Sequence, residues 1–575
     1  MTEARARKRV VILGGYGVFG GKLAEALLGK TRFDVIVAGR SLASATSFCE
    51  RHGGCPARLD RTLSSFAEDL ALLSPHITVD AAGPFQAYGD SPYAVAEAAL
   101  QAGSHYLDLS DDAAFASGLC VFDRAFKDRS LVALSGVSSV PALSSAAVET
   151  LRKDLGRIDT IETIILPGNR APRGLSVIRA ILSQAGQPVD EFRGGRHVTV
   201  PGWSGLERRT LWTDGNSRLS PRWSSTIGAP DTALFPKRYG ALSVRFRAGL
   251  ELGLLHIGLW CLSWPVRLGL STTLEPLAGV IRHAAGWFEN FGSDRGGMEV
   301  RIGGLDHTGR PFVRIWTLTA GAGDGPHIPA VPGAILCSLI DEDRISPGAR
   351  PCVGEFDLRE VEEATGHLEV ETASRSDETP TVFQKALAQN FYELPAQVRE
   401  LHTVLDLRHW SGKARVSRGK STFGDLICRM VGFPEAGEDT PVAVTIEQKG
   451  EAEIWKRTFG GRKFRSVLSP SGAPGSGRVS ERFGPLSFSI DLRVSDGKLH
   501  FPVSRGTLLG IPIPDWLLPI SETTEQVQKD TFSFDVKVSM RGIGLLVRYQ
   551  GWLRPDHIPG ETREDAPASA DLPGS

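Results

Sequence analysis

Apolar residues in the first quarter of the chain fall into short runs separated by stretches of helical spacing. Val10, Val11, Ile12 and Leu13 form an unbroken run that reads as a buried strand. Leu23, Ala24, Leu27 and Leu28 follow on one face of a helix. The alternation then repeats: residues 35–39, 57–60, 76–82, 105–109 and 131–134 read as strands, with helices over 63–73, 92–102 and 115–126. Strand–helix units in this order imply right-handed crossovers and a parallel sheet. Past residue 148 the pattern loosens. Residues 158–166 read as a strand, 175–185 as a helix, and 298–302 with 312–319 as a hairpin around Asp306-His307-Thr308-Gly309. Residues 194–238, rich in Gly, Pro, Trp, Arg and Ser, read as an ordered loop or lid.

Two later segments have a different pattern. Residues 252–266 carry no charge, with Trp260 and Trp264 among leucines and Lys237, Arg238, Arg245 and Arg247 upstream. A membrane span needs about twenty apolar residues, and Pro265 ends this run early. The segment reads as a helix buried between domains or in a homodimer, or as one lying in a membrane interface. Residues 374–380 are polar and read as a linker. Beyond them, helices are expected over 382–404, broken at Pro395, and over 423–431. Strands then dominate. Leu486, Phe488, Ile490, Leu492 and Val494 alternate with polar residues, as do Phe532, Phe534, Val536 and Val538, and Val442, Val444 and Ile446. Period-two alternation dedicates one sheet face to apolar side chains. That face needs a cover: the domain's own helices, its neighbours, or a lipid. The expected architecture is a doubly wound parallel α/β domain over 1–148, an α/β substrate or dimerisation domain over 149–373, a separate, mostly antiparallel β domain over 380–556, and a disordered tail over 557–575.

The first strand runs directly into Gly15-x-Gly17-x-x-Gly20 and the helix after it. Strand, glycine turn and helix together form the context of a dinucleotide-binding fingerprint. Gly15 is expected to make the tight turn, Gly17 to admit a pyrophosphate, and Gly20 to let helix and strand pack closely. The free N–H groups at the helix start then favour the phosphates. The candidate phosphate loop is therefore Gly14, Gly15, Tyr16, Gly17, Val18, Phe19 and Gly20. The second strand ends in Arg40-Ser41, where an NAD-binding unit usually has an acidic residue. An Arg suits a 2′-phosphate, so NADP is the expected cofactor, with NAD as the alternative. Ligands bind at the carboxyl ends of such strands. That adds Asp60 and the turn Ala82, Gly83, Pro84 and Phe85 to the candidate cofactor site, and brings in the segment from Asp108 to Asp112.

Here the chain resembles the saccharopine dehydrogenase-like family. The likeness rests on Ala81-Ala82-Gly83-Pro84-Phe85, on Ala102-Gly103-Ser104-His105-Tyr106-Leu107-Asp108, and on Gly136-Val137-Ser138-Ser139-Val140-Pro141. It extends over roughly residues 8–350. It implies a Rossmann half, a second α/β domain closing over the cofactor, and a nicotinamide cofactor, but no substrate. With the phosphate loop and Arg40, the expected activity is an NADP-dependent oxidoreductase acting on a C–N or C–O centre of a small or lipid-like substrate. The family usually has Gly-Glu after the fifth strand, where this chain has Ser110-Asp111-Asp112. Residues 380–555 resemble an uncharacterised domain that often follows such Rossmann regions in bacterial proteins. That second likeness implies no activity.

Composition narrows the function further. The 575 residues carry 65 Lys+Arg against 66 Asp+Glu, a net charge of −1. No global field therefore recruits nucleic acid. The 7 cysteines are scattered without CxxC spacing. They point to buried reduced thiols in a cytoplasmic protein, and to neither a metal site nor a disulfide framework. Met1 to Arg9 is basic without the pattern of a signal peptide. No GxSxG, HExxH or P-loop motif supports hydrolysis, metal catalysis or phosphoryl transfer. For proton transfer the candidates are Asp108 and His105 on the fifth strand. The rival to an enzyme is a cofactor-bound protein that engages a lipid, a membrane surface or a protein partner.

Overall fold

The computed structural model describes residues 7–171, 175–214 and 219–556. The expected disordered tail and most of the basic N-terminal stretch lie outside these residues. The first sheet begins with β1 (Lys8–Leu13), β2 (Phe33–Gly39), β3 (Cys55–Arg58), β4 (Ile77–Asp80), β5 (His105–Asp108) and β6 (Val132–Ser135). All are parallel, in the order β3-β2-β1-β4-β5-β6. The order reverses between β1 and β4, which creates a crevice at their carboxyl ends. Helices α1 (Val18–Leu28), α2 (Leu42–His52), α3 (Phe66–Leu72), α4 (Ala94–Ala102), α5 (Ala113–Gly118), α6 (Asp123–Asp128) and α7 (Ser144–Leu151) connect and follow the strands. Alternation along β1 feeds two cores. Val10 and Ile12 pack with α1, α2 and α7, while Val11 and Leu13 pack with α3, α4 and α6. Two buried faces explain why the strand is apolar throughout.

The second unit holds β7 (Leu155–Leu166), α8 (Leu175–Gln184), β8 (Pro188–Arg193), β9 (Arg196–Pro201), β10 (Ser204–Arg209), β11 (Arg222–Thr226), α9 (Pro230–Tyr239), β12 (Ser243–Leu250), α10 (Gly253–Arg267), α11 (Ala278–Gly286), β13 (Gly296–Asp306) and β14 (Pro311–Ala320). After it come α12 (Val331–Asp341), β15 (Gly348–Pro351) and β16 (Val370–Glu378). Its mixed sheet runs β10-β11-β12-β7-β13-β14-β16, with β8 and β9 attached at β12. Three expectations change here, and a fourth, the apolar helix at 252–266, keeps its homodimer and membrane-interface readings. Residues 194–238 are not a lid: they supply β9, β10, β11 and α9. The polar side chains of β9 and β10 suit a half-exposed sheet edge, while β11 is an interior strand that buries Arg222, Ser224, Ser225 and Thr226. The polar stretch at 374–378 is no linker but part of β16, an edge strand paired only with β14. Charged side chains are what protect such an edge. Residues 252–266 form α10, which buries only His256, Leu259, Ser263 and Val266 and exposes its other face. Finally, the boundary at 148 is not clean. The chain returns to the first sheet, where β15 pairs in parallel with β6 as a seventh strand, and α12, buried along its whole length, packs on α1.

The third unit is a 13-stranded antiparallel sheet among the described residues, from Leu407–Arg418 to Gly544–Pro555. It has its own core, and its short helices at Val382–Leu387, Ala396–Leu401 and Thr422–Val431 cover part of the dry face. It docks on the second unit through Asp406. The carboxylate accepts from Arg245 at 2.6 Å, from Ser243 Oγ at 2.7 Å and from Arg193 at 3.3 Å. The cysteines among the described residues are free, with Cys337, Cys352 and Cys428 buried but Cys55, Cys120 and Cys261 exposed, so burial holds for only part of the set. No helix among the described residues is long and apolar enough to cross a membrane.

Candidate functional site

The glycine loop connects β1 to α1 at the carboxyl edge of the first sheet. Each glycine meets a different obstacle. A Cβ at Gly20 would lie 2.4 Å from Gly14 O, and one at Gly14 would lie 2.7 Å from Ala81 O. Those two are closed by backbone. Gly14, with φ +78°, makes the left-handed turn, so that role belongs to Gly14 and not to Gly15. Gly15 has ordinary φ and is small because Ile12 and Val37 crowd it. Gly17 is different: a Cβ there would meet only Gly14 O, at 3.1 Å, with otherwise open space. Gly17 is also the residue that starts α1, so the first N–H groups of the helix, at Val18, Phe19 and Gly20, have no partner inside the helix. The loop is sealed on the protein side and open where an anion would approach.

Tyr16 leans from this loop across the end of β2. Its hydroxyl accepts from Ser41 N–H at 3.1 Å, and a Cβ at Gly39 would lie 2.6 Å from it. Gly39 is thus small to admit Tyr16. Arg40 follows, exposed, while Ser41 caps α2 by accepting from Ser44 N–H. Asp60 lies beyond β3. The Thr62 hydroxyl and N–H hold its carboxyl below its ordinary value, with Arg40 and Arg58 adding to the effect.

At the neighbouring strand ends two carboxyl groups are buried side by side. Asp80 and Asp108 are register partners on β4 and β5. Asp80 accepts from the Tyr88 hydroxyl at 3.0 Å and from Ala82 N–H at 3.1 Å. The Arg61 guanidinium lies over the Tyr88 ring, 3.3 Å from its centroid. Asp108 Oδ1 accepts from Ser135 Oγ at 2.8 Å, Ser110 N–H at 2.9 Å and Gly136 N–H at 3.0 Å. Its Oδ2 has no partner, nor has the buried hydroxyl of Tyr106 on the same strand face. Burial pushes Asp80 up to about 6 and Asp108 up to about 7, each against the hydrogen bonds that favour the ion. Asp108 also feels the charge of Asp80. Two carboxylates on adjacent strands cannot both ionise cheaply without water, so protonation of the pair is favoured toward neutral pH.

The other candidates fall in less reactive places. His105 begins β5, level with Ile77 and Val10, at the amino edge of the sheet. Its Nδ1 accepts from Val132 N–H at 3.0 Å, and its ring meets His76 edge-on. Burial lowers its pKa to about 4. The expectation that it works beside the cofactor is corrected: a four-residue strand separates its two ends, and His105 is at the wrong one. Phe85 points inward, packed against Tyr88 and Phe115 at centroid distances of 4.9 and 5.0 Å. It anchors the turn, while Ala82 and Pro84 present its exposed surface. Asp112 caps α5 by accepting from Phe115 N–H at 2.7 Å. Asp111 is exposed and accepts from Gln86 Nε2 at 3.0 Å. Among the described residues no cluster of His, Cys, Asp and Glu could hold a metal ion.

Residues 394–553 match DUF4166, a domain of unknown function. No curated protein matches the chain. Among solved structures it is similar to apo saccharopine dehydrogenase (L-Glu forming) of Saccharomyces cerevisiae, at 15% identity over 64% of this chain and 100% of that one, with a TM-score of 0.48. It is similar to GenD2 of gentamicin A biosynthesis, solved with NAD, at 16% identity over 52% and 71%, TM-score 0.27. It is also similar to the triphenylmethane reductase of Citrobacter sp., solved with NADP(H), at 21% identity over 19% and 39%, TM-score 0.16.

The residues that sequence reasoning missed are Asp80 and Tyr88. Asp80 ends an apolar run and looks like any polar strand terminus. Only the strand register makes it a neighbour of Asp108, and only the turn after Pro84 brings Tyr88 onto it.

Proposed function

We propose that the chain is an NADP-dependent oxidoreductase that moves a hydride to or from a C–N or C–O centre of a small or lipid-like substrate. The observation that carries this reading is the open space at Gly17 in an otherwise sealed turn, one strand from the exposed guanidinium of Arg40. The residues fit the cofactor. The helix start would hold the pyrophosphate, Arg40 and Ser41 the 2′-phosphate, and Ala82 to Pro84 the far end. When bound, the nicotinamide supplies or accepts the hydride. The chain's own part is to orient and to exclude water. Asp108 fixes the turn at Ser135 and Gly136, and Asp80 fixes the turn at Ala82. Substrate is expected between the first sheet and the second unit. Fluorescence titration with NADPH and NADH tests the reading, with tighter NADPH binding as the expected result. Equal affinity would remove it.

A second reading, a cofactor-bound protein without turnover, draws on the burial of Asp108 and the remote place of His105, since neither offers a proton at the open edge. Assays of NADPH oxidation against imines, ketones and amino-acid adducts separate the two: tight binding with no turnover favours the second. The exposed apolar ridge of α10 and α11 supports a homodimer or a peripheral membrane contact in either case.

A further inference from the structure

The C-terminal sheet curls around an internal cavity of about 170 Å3. Phe383, Trp455, Phe459, Phe488, Phe534 and Tyr549 line it. Arg457, Glu481 and Glu525 also border it, and Arg457 pairs with Glu481 at 3.4 Å. Its aromatic part has room for a compact apolar group: an engineered apolar cavity of about 150 Å3 takes up benzene. The domain's own helices therefore leave part of the dry face uncovered.

The cavity has a mouth where two strands part. Phe501 N–H still donates to Thr523 O at 3.1 Å, and farther along Leu518 lies against Gly506. Between these points Val503–Leu508 pairs with Leu486–Asp491 and with Ile511–Pro512, and not with Pro519–Gln528. Val503, Pro519 and Ser521 line the resulting slot. An open basin of about 800 Å3 adjoins it, sharing Phe501, Ser521 and Thr523 with the cavity. The basin mixes polar and apolar surface, with Asn390, Ser476, Arg493 and His500 in its wall. Its acidic residue, Glu522, is paired with Lys537. Arg493 is exposed and has no ion pair among the described residues, so its charge is available to an anion in the basin. At the other end of the slot, Leu508, Leu509, Ile511, Trp516, Leu517 and Ile520 are each 40% or more exposed. Six large apolar side chains in one short stretch of surface are unusual unless something covers them.

We infer that this domain binds a single-chain anionic amphiphile of the fatty-acid class. The end of the chain enters the aromatic cavity through the slot, the carboxylate lies in the basin near Arg493, and the apolar lip shelters whatever length the cavity cannot hold. The two halves of the site are independent observations, an aromatic cavity and an unpaired cation, and a single ligand type satisfies both. Nothing in this inference depends on the nucleotide site.

Isothermal titration calorimetry of the full chain tests it, using octanoate and 1-octanol, which share a chain length. The expected result is one site, a negative heat-capacity change from apolar burial, and at least fivefold tighter binding of octanoate. Arg493→Glu should erase that preference, and Ser521→Trp, which fills the slot, should weaken octanoate at least tenfold. The double variant Leu254→Ser and Trp287→Ser, on the other apolar surface, should bind as the parent does. Absence of binding, equal affinity for the alcohol, or indifference to Arg493→Glu would overturn the inference. So would loss of binding in the Leu254 and Trp287 variant. If circular dichroism shows that Ser521→Trp is misfolded, Arg493→Glu, an exposed position, still decides.

Discussion

Four residue positions carry separable predictions. Arg40→Asp removes charge-assisted hydrogen bonds worth about 1.5–3 kcal/mol and sets a carboxylate against a 2′-phosphate. NADPH affinity should fall roughly tenfold to a hundredfold while NADH affinity holds or rises, as read by competitive titration. Gly17 and Gly20 should part company. Gly17→Val fills the open side of the loop, so the protein keeps its melting midpoint but loses the upshift that NADP confers on the parent. Gly20→Ala drives a Cβ into Gly14 O and should cost about 1–3 kcal/mol of stability, whatever the ligand. Asp108 sets a pH dependence. The unfolded carboxyl titrates near 3.9, and the buried one near 7. The folded state therefore holds a proton that the unfolded chain releases. Stability from this group is complete below about pH 4 and is lost as pH rises through 7. Asp108→Asn keeps Oδ1 for its three donors and cannot ionise, so urea midpoints should fall less between pH 4 and 7 than in the parent. An unchanged slope would mean the carboxyl is not buried as described. The glycine spacing and Arg40 were legible in sequence because a local turn defines them. The distance of His105 from the carboxyl edge was not, because the sheet edge to which a strand residue belongs depends on register.

Elements were legible where their pattern served a single environment. The apolar runs of β1, β2 and β4 announce burial on both faces, and their positions match the sequence within a few residues. Mixed environments misled. β16 reads as a linker because an edge strand is free to be polar, and β9 and β10 read as a loop for the same reason; β11 gives no strand signal because its buried side chains are mostly polar. α10 reads either as a helix buried between domains or in a homodimer, or as one lying in a membrane interface, because its composition is apolar all round; Leu254, Trp264 and Leu268 are 70%, 43% and 66% exposed, which removes only burial between this chain's own units. Composition reports what a helix is made of and not how much of it is covered. The structure gives that surface little part in the core, so replacing Leu254, Trp264 and Leu268 together by Ser should change stability by no more than about 0.5 kcal/mol per site. Thermal melts check this directly. A drop of several kcal/mol would place a covering partner on that face.

At the scale of the whole molecule, the C-terminal unit has a separate core and meets the second unit through polar contacts that include Asp406 with Arg245 and Ser243, Arg193 with Glu447, and Arg196 with Asp556. Burial alone would raise this carboxyl, but Arg245 and Arg193 beside it hold it below its ordinary value. Asp406→Ala should cost on the order of 1–3 kcal/mol, because both arginines remain about a quarter exposed. Calorimetry should then resolve two transitions where the parent shows them closer together. Three units were legible in the sequence; their interleaving was not, since β15 is only four residues long and carries no pattern of its own. Its place in the first sheet has a consequence for synthesis. During translation β6 is made more than two hundred residues before the strand that covers its edge. At ordinary elongation rates that interval is on the order of ten to forty seconds. A nascent chain with an uncapped, apolar strand edge is a template for wrong pairing throughout that time. The unit built on the first sheet is therefore the first to begin folding on the ribosome and cannot be the first to finish. Slowed elongation between β6 and β15 should lower the yield of soluble protein more than the same delay after residue 380.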